Sequence, residues 1–183
     1  MQPVAKALLG VLLLLMLPLA GCTAAPVKES VNDAETLVEV EDPCMFATQS
    51  SLQSLVSIQV DGKDRFFRLS VPSSTPGTKL PIVLAFHGGG DAEEDFPQQN
   101  QFDQLGETEK FIMVYAIADS DRTVAEGDWY LNSAATSRED NDFSEQIVDE
   151  LAQVFCIDED RLYATGYSLG SMFTYEIACQ LNQ

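Results

Sequence analysis

The stretch RLYATGYSLGSMF, Arg161 to Phe173, decides the reading of this chain. It reads as a strand, a sharp turn that carries a serine between two glycines, and then a helix, the arrangement in which a serine nucleophile is presented at the edge of a sheet. Gly166, Tyr167, Ser168, Leu169 and Gly170 match the pattern G-x-S-x-G. Alone the pentapeptide is weak evidence, since a chain of this length contains one by chance about one time in twenty. Its position between a strand pattern and a helix pattern strengthens it, because glycines there let neighbouring backbone approach a strained serine.

Working outward, the elements alternate. SLVSIQV, Ser54 to Val60, and RFFRLSV, Arg65 to Val71, are alternating apolar runs joined around Asp61 and Gly62, which predicts an antiparallel hairpin. PIVLAF, Pro81 to Phe86, and FIMVYA, Phe111 to Ala116, are nearly continuous apolar runs of the kind found in strands covered on both faces. A polar, partly helical stretch separates them. From Asp142 onward Phe143, Ile147, Leu151, Val154 and Phe155 recur at helical spacing, with Ser144 and several acids near the start. A last apolar-periodic helix is predicted over Met172 to Leu181. Strands alternating with helices predict an α/β fold: a mostly parallel sheet with helices on both faces and an antiparallel hairpin at its N-terminal edge.

The first 21 residues carry Lys6, the apolar run ALLGVLLLLMLPLA and small residues before Cys22, which make a secretory leader. The apolar run is about fourteen residues, short of the roughly twenty needed to span a bilayer. LAGC, Leu19 to Cys22, looks like a bacterial lipobox, so Cys22 is the expected lipidation site and membrane attachment through a lipid anchor there is expected. Thr23 in place of an aspartate resembles the pattern of lipoproteins sent to the outer membrane. The expected location is therefore exported: anchored to the outer membrane or cell surface, or secreted. Residues 22–45, small, polar and acidic, read as a disordered tether. Residues 46–183 remain for one core.

The chain has 29 acidic and 10 basic residues and a formal charge of -19. That balance argues against nucleic-acid partners, which need clustered Lys and Arg, and is read as a solubilising surface. Four cysteines without C-x-x-C spacing and a single histidine argue against zinc.

At the elbow the backbone N–H of Leu169 opens the helix and can stabilise negative charge on a reacting carbonyl oxygen. A second donor is expected from HGGG, His87 to Gly90, which follows PIVLAF at the same C-terminal edge of the sheet. The order PIVLAFHGGG, then DWYLN at Asp128 to Asn132, then CIDEDRLYATGYSLGSMFTYEIAC at Cys156 to Cys179, resembles the secreted polyhydroxybutyrate depolymerase and feruloyl esterase family of α/β-hydrolases. The resemblance runs from about Leu55 to the end of the chain. It implies Ser168 as nucleophile, the Leu169 N–H as one oxyanion donor and Gly88 or Gly89 as the other. Trp129 and Tyr130 match a family stretch near the cleft and become candidate substrate contacts, although an aromatic pair is more often part of the core. No cofactor or metal is implied. The substrate classes implied are polyhydroxyalkanoate, feruloylated or acetylated polysaccharide, or small aryl esters. Ser171 departs from the family, where a glycine often stands, and tighter packing without loss of the elbow is expected there.

In this fold the triad runs nucleophile, acid, histidine. His87 precedes Ser168, so its expected role is to hold the glycine loop by hydrogen bonds. Family members continue for roughly a hundred residues more, and the sequence reads as the N-terminal part of an esterase whose acid and base are missing, inactive in this form. The strand RLYATG would then be a sheet edge. Rise along helix and strand brings Cys156 and Cys179 to similar depth beneath the elbow, which predicts a disulfide between them and leaves Cys44 over. The leading reading is an exported serine carboxylic-ester hydrolase. The alternative is a non-catalytic surface lipoprotein with a relic hydrolase fold that binds polymer or glycan.

Overall fold

The computed structural model describes residues 41–90, 95–119, 129–133 and 136–180. The leader, Cys22, most of the tether and Asp128 lie outside the described residues. After a 3-10 turn at Pro43–Met45 come β1 (Ser51–Val60), β2 (Lys63–Val71), β3 (Leu80–Phe86), α1 (Asp95–Gln98), α2 (Phe102–Glu109), β4 (Ile112–Ala116), α3 (Glu139–Val154), β5 (Ile157–Gly166) and α4 (Leu169–Gln180). The body therefore starts earlier than residue 46. The two long helices begin three residues before their predicted starts.

The five strands form one sheet in the order β1-β2-β4-β3-β5. β1 with β2 and β2 with β4 are antiparallel, while β3 is parallel to both β4 and β5. Only β2 runs against the rest. The hairpin turns on Asp61 and Gly62, both at positive φ (51° and 79°). That is the mirror-image two-residue turn whose twist suits a hairpin, and the second position favours glycine.

Strand alternation divides the core into two layers. Ile82, Leu84 and Phe86 of β3 and Ile112, Val114 and Ala116 of β4 face α3 and α4, where Phe143, Ile147, Phe173 and Ile177 are fully buried. Ala85, Met113 and Tyr115 face the other way, against Phe96 and Phe102 of α1 and α2. Every residue of β4 is at most 2 % exposed, which explains its unbroken apolar run: it is covered on both faces. Among the described residues β5 is an edge strand, as β1 is at the other side, and its Tyr163 is 55 % exposed.

The predicted Cys156–Cys179 disulfide is not formed. Cys156 is bonded to Cys44, with Cα atoms 4.4 Å apart, and Cys179 is not free either. Equal depth along the sheet fixes one coordinate only. α4 lies on the face of the sheet, whereas Cys156 sits at the foot of β5, where its carbonyl accepts from the Leu80 N–H (2.8 Å). Cys44 reaches the same foot because its carbonyl accepts from the Gly77 N–H (2.7 Å), in the turn that leads into β3.

Candidate active site

β5 ends at Gly166, Ser168 takes φ +50°, and α4 starts at Leu169. A non-glycine residue in the left-handed region is disfavoured by roughly 1 kcal/mol or more, so the surroundings must hold it there. They do so through the glycines. A Cβ on Gly166 would run into the backbone of Gly170 and Ser171, and one on Gly170 would overlap the carbonyl oxygens of Phe86 and His87. The elbow is thus pressed against the C-terminal end of β3. The Tyr167 N–H donates to Phe86 O (3.1 Å) and the Gly170 N–H to Tyr167 O (2.9 Å), which close the turn.

Ser168 is exposed and stands immediately before a twelve-residue helix with no acid in its first turn. Positive potential from the helix N-terminus therefore acts at the serine, and the first turn itself carries no carboxylate to offset it. The Leu169 N–H occupies the first helical position, where no intrahelical acceptor exists.

His87 is buried, and both ring nitrogens are committed. Nε2 accepts from the Ala118 N–H (3.2 Å), so Nδ1 carries the proton and donates to Gly88 O (2.8 Å). This ring holds the glycine loop, as its place before the serine led us to expect. Gly88 is buried, Gly89 exposed, and Gly90 takes φ +72°.

Of the two readings for Trp129, its complete burial fits the core one. Its indole stacks on Phe173 (5.4 Å between centroids), meets Phe86 edge-on (5.2 Å), and donates through Nε1 to His87 O (2.9 Å). It props the glycine loop from below. Tyr130 is half-buried and its N–H donates to Asp140 Oδ2 (2.7 Å). Ser171, expected to pack tightly, is exposed, and its hydroxyl bonds Ser168 O instead.

Three supporting residues escape a motif search. Asp140, on α3, binds the Tyr130 N–H and pairs with Arg65 of β2 at 2.9 Å. Glu176, on α4, accepts from the N–H groups of Asn132 and Ser133. Arg65 alone left a signal: in RFFRLSV it shares the inward face with Phe67, Leu69 and Val71, and a charge there demands a buried partner. Among the described residues no cluster of three His, Cys, Asp or Glu could hold a metal.

No protein-family model matches the chain. Among curated proteins it is 27 % identical over 121 residues to a bifunctional acetylxylan esterase/xylanase of Neocallimastix patriciarum, covering 66 % of this chain and 16 % of that protein. It is 27 % identical over 164 residues to NocK, a proposed esterase of Nocardia uniformis subsp. tsuyamanensis, covering 85 % and 45 %. The chain thus spans less than half the length of these relatives. Among solved structures, an S-formylglutathione hydrolase from Agrobacterium tumefaciens superposes with TM-score 0.54 at 15 % identity, over 73 % of this chain and 57 % of that one. An esterase of Pyrobaculum calidifontis gives 0.52 at 18 %, over 71 % and 40 %. With the sheet order, the elbow and the glycine loop in place, the chain has part of an α/β-hydrolase fold, and its relatives by sequence are esterase-like.

Proposed function

We propose that the protein is an exported serine carboxylic-ester hydrolase of the polyhydroxybutyrate depolymerase or feruloyl/acetyl esterase type, anchored through lipid on Cys22. The observation that carries the reading is Ser168 at φ +50° on a glycine-packed elbow, against a helix N-terminus and a braced glycine loop. The relative named for acetylxylan ester cleavage supports an ester substrate. In the reaction Ser168 Oγ attacks the ester carbonyl while a base takes its proton, and the oxyanion is met by the Leu169 N–H and by Gly88 or Gly89. The alcohol leaves with that proton. Water then releases the acid and restores the serine.

His87, the one histidine of the sequence, is engaged on both nitrogens and is not that base. We propose that the acid and base are supplied by sequence outside these 183 residues. The test is fluorophosphonate labelling and hydrolysis of p-nitrophenyl acetate, acetylated xylan and polyhydroxybutyrate by the full natural protein beside its S168A variant. Labelling and hydrolysis that vanish in S168A support the proposal. A parent no more reactive than S168A refutes it and favours non-catalytic polymer binding.

A further inference from the structure

Ser168 O accepts three hydrogen bonds. The Ser171 N–H lies at 3.0 Å, the Met172 N–H at 3.3 Å, and the Ser171 hydroxyl, the shortest, at 2.6 Å. That carbonyl and the Leu169 N–H are the two ends of one peptide plane. In a planar trans peptide they point in opposite directions, so fixing one end aims the other. From this geometry we infer that Ser171 is a positioning residue of the oxyanion hole: its hydroxyl grips the carbonyl end of the Ser168–Leu169 peptide and thereby aims and polarises the Leu169 N–H. The inference rests on the esterase reading of Ser168.

Two features make the grip matter here. Ser168 sits in the left-handed region, which local preference disfavours, so its peptide is held by the hydrogen bonds to Ser168 O, of which the hydroxyl's is the shortest. Ser171 is exposed, so water could satisfy its hydroxyl, yet it turns back to its own helix. Back-bonding of this kind is common for serine in a first helical turn and would by itself be structural. What sets this case apart is the peptide gripped, whose other end is the donor required by the chemistry. A hydrogen bond at the carbonyl also strengthens the N–H of the same peptide as a donor.

The glycine loop is held in the same manner. His87 Nδ1 donates to Gly88 O, the carbonyl end of the peptide that carries the Gly89 N–H, and Trp129 Nε1 donates to His87 O, behind the Gly88 N–H. Both sides of the hole would then be aimed by side chains gripping the far ends of the peptides involved.

The experiment compares S171A, S171G and S171T with the parent in the full natural protein, after circular dichroism and melting confirm that each is folded. Aryl ester hydrolysis gives kcat and KM, and an amide NMR spectrum gives the Leu169 resonance. Loss of the hydroxyl in S171A and S171G is expected to lower kcat about fivefold with KM unchanged, less than the hundredfold or more for deleting an oxyanion donor. The Leu169 amide should shift, and S171T, which keeps a hydroxyl, should restore both. Parental kcat in S171A, or S171T as impaired as S171A, overturns the inference. If the parent hydrolyses nothing, the esterase proposal fails, and the amide decides the geometry separately: an unmoved Leu169 resonance in S171A overturns the grip, while a moved one that S171T restores upholds it.

Discussion

The buried pair of Arg65 and Asp140 provides the sharpest test of how the site is supported. Arg65 is 3 % exposed and Asp140 not at all, with Nη2 and Oδ1 2.9 Å apart. The guanidinium carbon lies 4.1 Å over the Phe143 ring, while Arg65 Nε has no hydrogen-bond partner among the described residues. Because desolvation is only partly offset, the pair as a whole adds little stability, but removing one charge strands the other. D140N is the informative change, since an amide oxygen can still accept from the Tyr130 N–H while the charge is gone. The expected cost is about 3–5 kcal/mol, and R65M should cost about the same. R65M/D140N removes both charges and keeps the acceptor, so it should lie within roughly 1–2 kcal/mol of the parent. In urea the single variants should lose about 1.5 to 3 M in midpoint at unchanged slope. A midpoint within about 0.3 M of the parent for D140N, or a double variant as poor as the sum of the singles, would show that the pair is not a coupled buried unit.

Other consequences follow from single contacts. G170A places a Cβ against backbone carbonyls that cannot rotate away, so it should cost about 3 kcal/mol or more and change the emission of Trp129, the one tryptophan. C44S/C156S opens a loop spanning a separation of 112 residues, and unfolding with and without reductant should show a loss of about 2–5 kcal/mol in the oxidised protein only. Glu107 is held down to about 2 by Lys110 and by Ser73, so its folded value is below its unfolded one. The advantage of the parent over E107Q is therefore present above the ordinary carboxylate range and lost as pH falls toward 2; melting curves between pH 6 and pH 2 (about four units) should show the two converge, and a constant difference would contradict the assignment.

The elements that make the sheet were readable because each burial state leaves its own pattern. β4 is covered on both faces and reads as an unbroken apolar run, whereas β2 has one inward face and alternates. The elbow was readable because close backbone approach admits only glycine at Gly166 and Gly170. Cysteine pairing was not readable: rise per residue gives depth along an element and nothing about lateral position, and Cys44 stands in a segment whose composition resembled a tether. The place of Trp129 was left open between core and cleft because an aromatic beside a cleft and an aromatic beneath it have the same sequence signal, and it is buried. Glu176 left no trace, since a carboxylate on a half-buried helix position looks like any solvated acid until the loop it binds is in place.

That loop shows why the supports converge where they do. Residues 129–133 pair with no strand among the described residues, so their N–H groups need acceptors from elsewhere. Asp140 of α3 takes the Tyr130 N–H, and Glu176 of α4 takes those of Asn132 and Ser133. Carboxylates make the stronger, charge-assisted form of this bond, suited to a segment without a ladder of its own. The segment so fixed carries Trp129, which in turn holds His87 O. Gly88, Gly89 and Gly90 have no side chains with which to hold themselves and lose more conformational freedom on ordering than any other residue. Their order is therefore imposed from outside, by an indole whose segment is tied to two helices and by an imidazole held by the Ala118 N–H beyond β4. The edge that carries the glycine loop and the elbow depends in this way on acids in α3 and α4 that the proposed chemistry does not use.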